Sequence, residues 1–145
     1  MPEIEHILIS VESYYAERML DGSKTVELRR RPIRIKEGSK LWVYSKLPRG
    51  QIELQAEVKK VAVGNPIAIW GKYGNRTGIS RKEYFAYFNG AETAYAILID
   101  CVNKLPPILS LVQIRRKAAH FHPPQFYKRL KLNSPELKYL MSALS

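Results

Sequence analysis

A chain of 145 residues is long enough to bury ~68% of its unfolded surface in a single domain and needs no staple to hold it. Lys plus Arg number 24 against 13 Asp plus Glu, a net charge of +11, which points to an anionic partner such as nucleic acid, although membranes also attract such charge. No stretch approaches the ~20 apolar residues of a membrane-spanning helix and the N-terminus lacks a signal-peptide pattern, so no membrane partner and a cytoplasmic location are expected, and the single cysteine, Cys101, rules out an internal disulfide partner and a thiolate metal cluster.

His6 to Val11 (HILISV) is a short β-branched run that suits a buried first strand. Ser13 is placed to cap a helix running to about Asp21, with Ala16, Met19 and Leu20 at i, i+3 and i+4 facing the core. Gly22 follows where a helix end needs a left-handed residue. Residues 22 to 34, GSKTVELRRRPIR, then set Lys24, Arg29, Arg30, Arg31 and Arg34 around one acid, Glu27. Read as a strand from Thr25 to Arg31, the segment puts Thr25, Glu27, Arg29 and Arg31 on one face and Val26 and Leu28 on the other. An acid two residues from an arginine on one strand face can hold the guanidinium fork, and fixed guanidinium groups suit phosphate or a flat base edge. The alternative is a solvated edge strand whose charges discourage aggregation. Pro32 biases Arg31 toward extended backbone, so the strand ends or bulges there.

Glu37-Gly38-Ser39 reads as a turn into a strand over Leu41 to Tyr44, and Pro48-Arg49-Gly50 as another turn. From Gln51 to Lys59, Ile52, Leu54, Ala56 and Val58 alternate with Gln51, Glu53, Gln55, Glu57 and Lys59, the pattern of a half-buried antiparallel strand. The alternation slips between Lys60 and Val61, which predicts a bulge of the kind that lets a small sheet curl. A helical turn over Ile67 to Trp70 is followed by a loop carrying Gly71, Gly74 and Gly78 with Lys72, Tyr73 and Arg76, either the lip of a binding site or a flexible connection. Ser80 and Glu83 form a capping box for a helix whose Tyr84, Phe85 and Phe88 face the core before Gly90 stops it. Thr93 to Val102 is almost wholly apolar and reads as the central strand of the sheet, with Cys101 buried in it.

Pro106-Pro107 ends that strand, and Ser110 with Gln113 makes a second capping box for a helix carrying Arg115, Arg116 and Lys117. Through His120, Phe121, His122, Tyr127, Lys128, Arg129 and Lys131, cations and rings interleave, as suits phosphates and bases or a charged surface over a core. Ser134-Pro135-Glu136 opens a last helix, whose Leu137, Leu140, Met141 and Leu144 form one stripe that docks on the domain or meets a second subunit. His120-x-His122 has no third ligand nearby, so neither a metal nor another cofactor is expected. Nucleophile elbows, phosphate-loop lysines and dinucleotide fingerprints are absent. The cluster with plausible reactivity is Lys24, Thr25 and Glu27, where crowding by arginines favours neutral lysine and Glu27 favours the charged form.

Gly22-x-Lys24-x-x-Glu27-x-Arg29 matches the Gly-x-Lys-x-x-Glu-x-Arg signature of the ASCH domain, and over about Ile7 to Lys104 the chain resembles that branch of the PUA-like superfamily. The resemblance implies an α+β fold: a small curled β-barrel, or pseudobarrel, of mixed or antiparallel sheet with flanking helices and a cleft beside the motif. It also implies one such domain over residues 1 to 145, with a core of about 7 to 104 and a C-terminal helical extension from 106. The function implied is binding of RNA or other nucleic acid, with Lys24, Glu27 and Arg29 lining the cleft. Arg30, Arg31, Arg34, Lys46, Lys72, Tyr73 and Arg76 complete the candidate binding set. Some members that this chain resembles are enzymes, either amidohydrolases acting on acetylated cytidine or ribonuclease-like, and for an enzyme Lys24, Thr25 and Glu27 are the candidate catalytic residues. In the amidohydrolases a threonine stands three residues after the lysine, where this chain has Glu27.

Overall fold

The computed structural model describes residues 3 to 144. The first apolar run forms β1 (His6–Val11), buried along its whole length, and α1 (Ser13–Asp21) follows. This helix begins one residue earlier than the capping pattern suggests: Glu12 holds the N-cap position without a side-chain cap, and Ser13 is the first helical residue. Gly22 ends it at φ 87°, a left-handed value that costs a residue with a Cβ about 1 kcal/mol. β2 (Val26–Arg29) is shorter than the expected 25 to 31. The Thr25 amide donates to the Arg76 carbonyl (2.9 Å) and the chain leaves the sheet after Arg29, three residues ahead of Pro32.

β3 (Lys40–Ser45), β4 (Gln51–Gly64), β5 (Ala94–Lys104) and β6 (Tyr127–Arg129) complete a six-stranded sheet in the order β2-β5-β4-β3-β1-β6. β1 and β3 are parallel and every other pair is antiparallel. The mixed sheet curls into a half-barrel flanked by five helices, an α+β fold as the resemblance implies. α2 (Pro66–Tyr73) and a 3₁₀ turn (Gly74–Arg76) replace the expected loop with helix. α3 (Arg81–Tyr87) and α4 (Leu111–Lys117) carry the two capping boxes, and α5 (Pro135–Ser142) starts at Ser134 with proline in its first turn.

Three differences from the sequence reading have physical causes. β5 lies between β2 and β4 rather than at the centre; its apolar character reflects cover on both faces, with Ile97 and Ile99 on one side and Ala96 and Leu98 on the other. Cys101 is exposed at φ 51°, because β5 gains one residue between Asp100, opposite Glu57, and Asn103, opposite Gln55, and the bulge turns the thiol outward. A second register shift falls between Val58 and Lys60, slightly ahead of the expected slip.

The sheet carries an apolar cluster on each face. On one, Ile7, Ile9, Val43, Leu54 and Ile97 receive Ala16 and Met19 of α1. On the other, Leu8, Trp42 and Ile52 are covered by Leu109, Ile114, Phe121, Leu137 and Leu140 from the C-terminal third, while Met141 and Leu144 of the α5 stripe stay exposed. A third cluster packs Val26, Leu28, Ala96 and Leu98 against Ile69, Tyr73, Tyr84 and Phe88 of α2 and α3.

Glu53 and Gln55, which alternation alone would leave in solvent, are also buried: Gln55 stands opposite Trp42 on the face that the C-terminal third covers, whereas Glu53 is the extra residue at the register shift between β3 and β4 and lies on the α1 side with Glu17, Leu20 and Arg49. Burial pushes the Glu53 carboxyl up, but donors from Ser45 (2.7 Å), Arg49 (2.5 Å) and Gln51 (3.1 Å) outweigh it and hold the pKa below the ordinary glutamate value. A carboxyl depressed in the folded state stabilises fully above its unfolded pKa and loses that contribution as pH falls through the folded value. Glu53→Gln is therefore expected to lower unfolding stability by about 1–3 kcal/mol near pH 7. Urea melts should show the gap to wild type closing as pH falls to about 3.

Candidate functional site

β2 forms one end of the sheet, and with Val26 and Leu28 packed on α2 and α3, Glu27 and Arg29 occupy its other face. There the curl brings β2 toward β1, and Arg29 spans the opening. Its Nη2 donates to Glu27 Oε2 (2.8 Å) and to the Ser10 carbonyl of β1 (3.3 Å), and its Nη1 donates to the Phe126 carbonyl just before β6 (3.1 Å). Ser10 Oγ in turn donates to the Pro124 carbonyl (2.7 Å), so residues 124 to 126 are strapped to this rim.

Lys24 lies beneath, 2% exposed. Its ammonium donates to the carbonyls of Val26 (2.9 Å) and Thr77 (2.8 Å) and sits 3.4 Å from Glu27 Oε1, three acceptors for three protons. Burial lowers its pKa from the ordinary lysine value, against the pull of Glu27 in the other direction. Gly78 closes over the lysine at φ 71°, and a Cβ there would come within 2.8 Å of Lys24 Cβ, so only glycine fits. Each Glu27 oxygen is thus held by a different cation, and the carboxylate is fixed in the wall of a cavity of about 240 Å³. Tyr14, Tyr15, Tyr87 and Ile79 supply apolar surface to this cavity, and Lys46 stands at its rim, exposed, 3.5 Å from Glu12. Burial raises the phenol pKa of Tyr15, with Tyr14 adding to it, and raises that of Tyr87, so both hydroxyls stay protonated donors.

Of the residues singled out from the sequence, Lys24, Glu27, Arg29 and Lys46 meet in this cavity. Thr25 is outside its lining, its hydroxyl accepting from Arg76 Nε (3.0 Å), which ties Arg76 to a scaffold contact. Tyr73 is 4% exposed inside the α2 and α3 core, which leaves no ring face for a base, and Lys72 rides outside it, 5.5 Å from the ring centroid. Arg30 and Arg31 are exposed, Arg30 donating to the Asn89 carbonyl (3.2 Å) and Arg31 lying 4.0 Å from the Phe126 ring centroid. Arg34 is exposed, its carbonyl accepting from Arg129. The tyrosines were missed because Tyr15, four residues before Met19, and Tyr87, three after Tyr84, continue the apolar stripes of their helices, where rings normally pack inward; no local signal set them apart. Among the described residues, Glu57, Asp100 and Cys101 bring ligand-type atoms within 4.8 Å of one another, but on the β5 bulge and not in the cavity.

The Lys24 environment fixes a sign for pH dependence. A lysine whose folded pKa is lowered releases its proton first in the folded state, so the unfolded chain binds more protons and stability rises with pH up to the unfolded value. Unfolding free energies of wild type relative to Lys24→Met should therefore shift in favour of wild type as pH is raised from about 7 to about 10. A flat difference would mean that the lysine titrates as it does in the open chain.

The family model described as a domain of unknown function (DUF365) matches residues 4–128. A protein of Zymomonas mobilis subsp. mobilis named ASCH domain-containing ribonuclease is 30% identical over 125 residues, 86% of this chain and 84% of its own length. The crystal structure of ASCH from Zymomonas mobilis is similar with a TM-score of 0.88 at 29% identity, over 94% of each chain. Human THYN1, solved in complex with 5-methylcytosine-containing DNA, shares the fold at a TM-score of 0.54 and 11% identity, over 95% of this chain and 96% of that one. With Lys24, Glu27 and Arg29 of the signature joined at the mouth of the half-barrel and these matches running along nearly the whole sequence, the chain belongs to the ASCH family and to the DUF365 family.

Proposed function

We propose that the chain acts as a single ASCH module that binds RNA, taking one nucleobase into the cavity between β2, α1 and α3. The observation that carries this reading is the Glu27 carboxylate, 6% exposed and clamped between Lys24 and Arg29 in the wall of an aromatic-lined cavity. An acid repels phosphate, so its place in a chain of net charge +11 is better explained by an acceptor aimed at base amino or imino groups, as carboxylates pair with cytosine N4. Tyr14, Tyr15 and Tyr87 offer surface to a base. Lys24 has its three protons committed to protein acceptors, and Arg29 gives both terminal nitrogens to protein acceptors while its Nε is buried without a partner, so phosphates fall to Lys46 at the rim and to Arg30 and Arg31 beside it, with Arg34 exposed further along the same segment.

A second reading, cleavage of the bound strand, is favoured by the ribonuclease name of the 30% identical Zymomonas mobilis relative. Lys24 with its lowered pKa and Glu27 at 3.4 Å are the pair able to pass a proton in it, and Lys46 is the exposed cation able to meet charge developing on a phosphate. Amide hydrolysis is less well served, since Thr25 is turned to Arg76 and outside the cavity.

Binding of short single-stranded RNA should weaken with salt at a slope of about −2 to −3 for three or four phosphate contacts, and Lys46→Ala should flatten it by about 0.7. Glu27→Gln should cost roughly tenfold or more in affinity and reduce discrimination among bases. Salt-independent association, or unchanged base preference in the glutamine variant, would overturn the binding reading. Incubating end-labelled RNA with wild type and Lys24→Arg separates the second reading: cleavage lost in the arginine variant with binding kept assigns proton transfer to the lysine.

A further inference from the structure

A second cavity, of about 270 Å³, opens on the far side of Arg29. Arg29 and Tyr87 belong to both cavities, so one wall separates them. The second is bounded by Arg30, Arg31, Phe126 and Tyr127, joining a hydrophobic floor to two exposed cations. Phe126 is 42% exposed although it is a large apolar ring, and the Arg31 guanidinium lies 4.0 Å from its centroid, so a ring and a fixed cation are presented together. The ring's backbone is not free to drift: the Phe126 carbonyl accepts from Arg29 (3.1 Å), and Ser10 Oγ holds the neighbouring Pro124 carbonyl (2.7 Å). A loop with an exposed phenylalanine is commonplace, but here the exposed ring is anchored by the same guanidinium that fixes Glu27.

We propose that this second cavity is an adjoining nucleotide subsite, in which the base next to the one held at Glu27 stacks on Phe126 while Arg30 and Arg31 take the phosphate group. The assignment rests on the reading of the first cavity as a nucleobase pocket. Its chemistry is single-stranded RNA rather than an apolar peptide, because two arginines rim the site, no carboxylate lines it, and it continues directly from the Glu27 cavity. The strand therefore crosses Arg29 between two successive bases, and the side chain that closes the half-barrel also sets the step from one subsite to the next.

The test compares nucleoside monophosphates with the matching phosphorylated dinucleotides, pN against pNpN for each of the four bases, by NMR titration of wild type, Phe126→Ala, Phe126→Trp and Arg31→Ala. Wild type is expected to gain about tenfold or more on going from one nucleotide to two, Phe126→Ala to lose most of that gain, and Phe126→Trp to restore it. Arg31→Ala should reduce the gain and its salt dependence, and it guards against a Phe126 variant that misfolds. If monophosphates bind wild type but dinucleotides gain nothing, or if the gain survives both alanine variants, the second subsite is overturned and the first stands. If wild type binds neither ligand, both readings fall.

Discussion

The guanidinium of Arg29 holds the mouth of this half-barrel. A six-stranded sheet that curls without closing leaves its two ends facing each other with no hydrogen-bond ladder between them, and here that space is crossed by one side chain joining β2, β1 and the segment before β6. Arg29 fixes Glu27, Glu27 holds Lys24, and Lys24 reaches the Thr77 carbonyl in the connection from the 3₁₀ turn to α3. A buried set of this kind contributes little net stability relative to apolar side chains of similar volume, because each ion loses its hydration. What it supplies is position. An arginine fork is rigid in a way that an apolar contact is not, and four segments distant in sequence are referred to a single acid.

The charge of the chain divides into two populations with different tasks. Lys24 and Arg29 are buried or half-buried; the lysine and the two terminal nitrogens of the arginine donate to carbonyls and to Glu27, and the one unpaired Arg29 donor, Nε, is itself buried, so they contribute little that an anion could reach. Arg30, Arg31 and Lys46 are exposed around them, and Arg34 is exposed but lines neither cavity that Arg29 borders. Such rim charges act at the range of a Debye length, about 8–10 Å at ordinary salt, and make the potential around the mouth positive. The buried pair acts only over a hydrogen bond. A run of basic residues in sequence therefore does not translate into a run of free surface cations.

The sequence made local features legible and long-range ones not. The strand at His6, the glycine after α1, the proline-led start of α5 and both capping boxes are set by neighbours within a few residues, and they fold as their patterns suggest. Glu27 and Arg29 were legible as a pair because two-residue spacing on a strand fixes a shared face, whereas Lys24, three residues before Glu27, was joined to them only by the signature, and Thr25, which alternation put on that face, is turned to Arg76. What escaped depends on segments far away. Gln55 is buried because α4 and α5 cover a face that alternation predicts to be wet, Glu53 because a register shift between β3 and β4 turns it toward α1, Tyr73 because α2 extends into the supposed loop, and Cys101 turns out because a bulge interrupts an otherwise apolar strand. β6 is three residues long and basic, so it carries too little periodicity to be read before its partner β1 is known.

That last strand changes how the C-terminal third relates to the site. Ile7, Leu8 and Ile9 of β1 pair with Arg129, Lys128 and Tyr127, so β6 belongs to the sheet itself. The same segment delivers the Phe126 and Pro124 carbonyls to Arg29 and Ser10, while Leu109, Ile114, Phe121, Leu137 and Leu140 seal the face behind β1 and β3. Without those contacts Arg29 would keep Glu27 and the Ser10 carbonyl but lose its third anchor, and a guanidinium held on one side alone can rotate away from the mouth. The geometry at Glu27 is thus decided by residues about 100 positions later in the chain, as the 97-residue separation of Arg29 and Phe126 makes plain. A cluster written in one short stretch of sequence needs nearly the entire chain to be held in place.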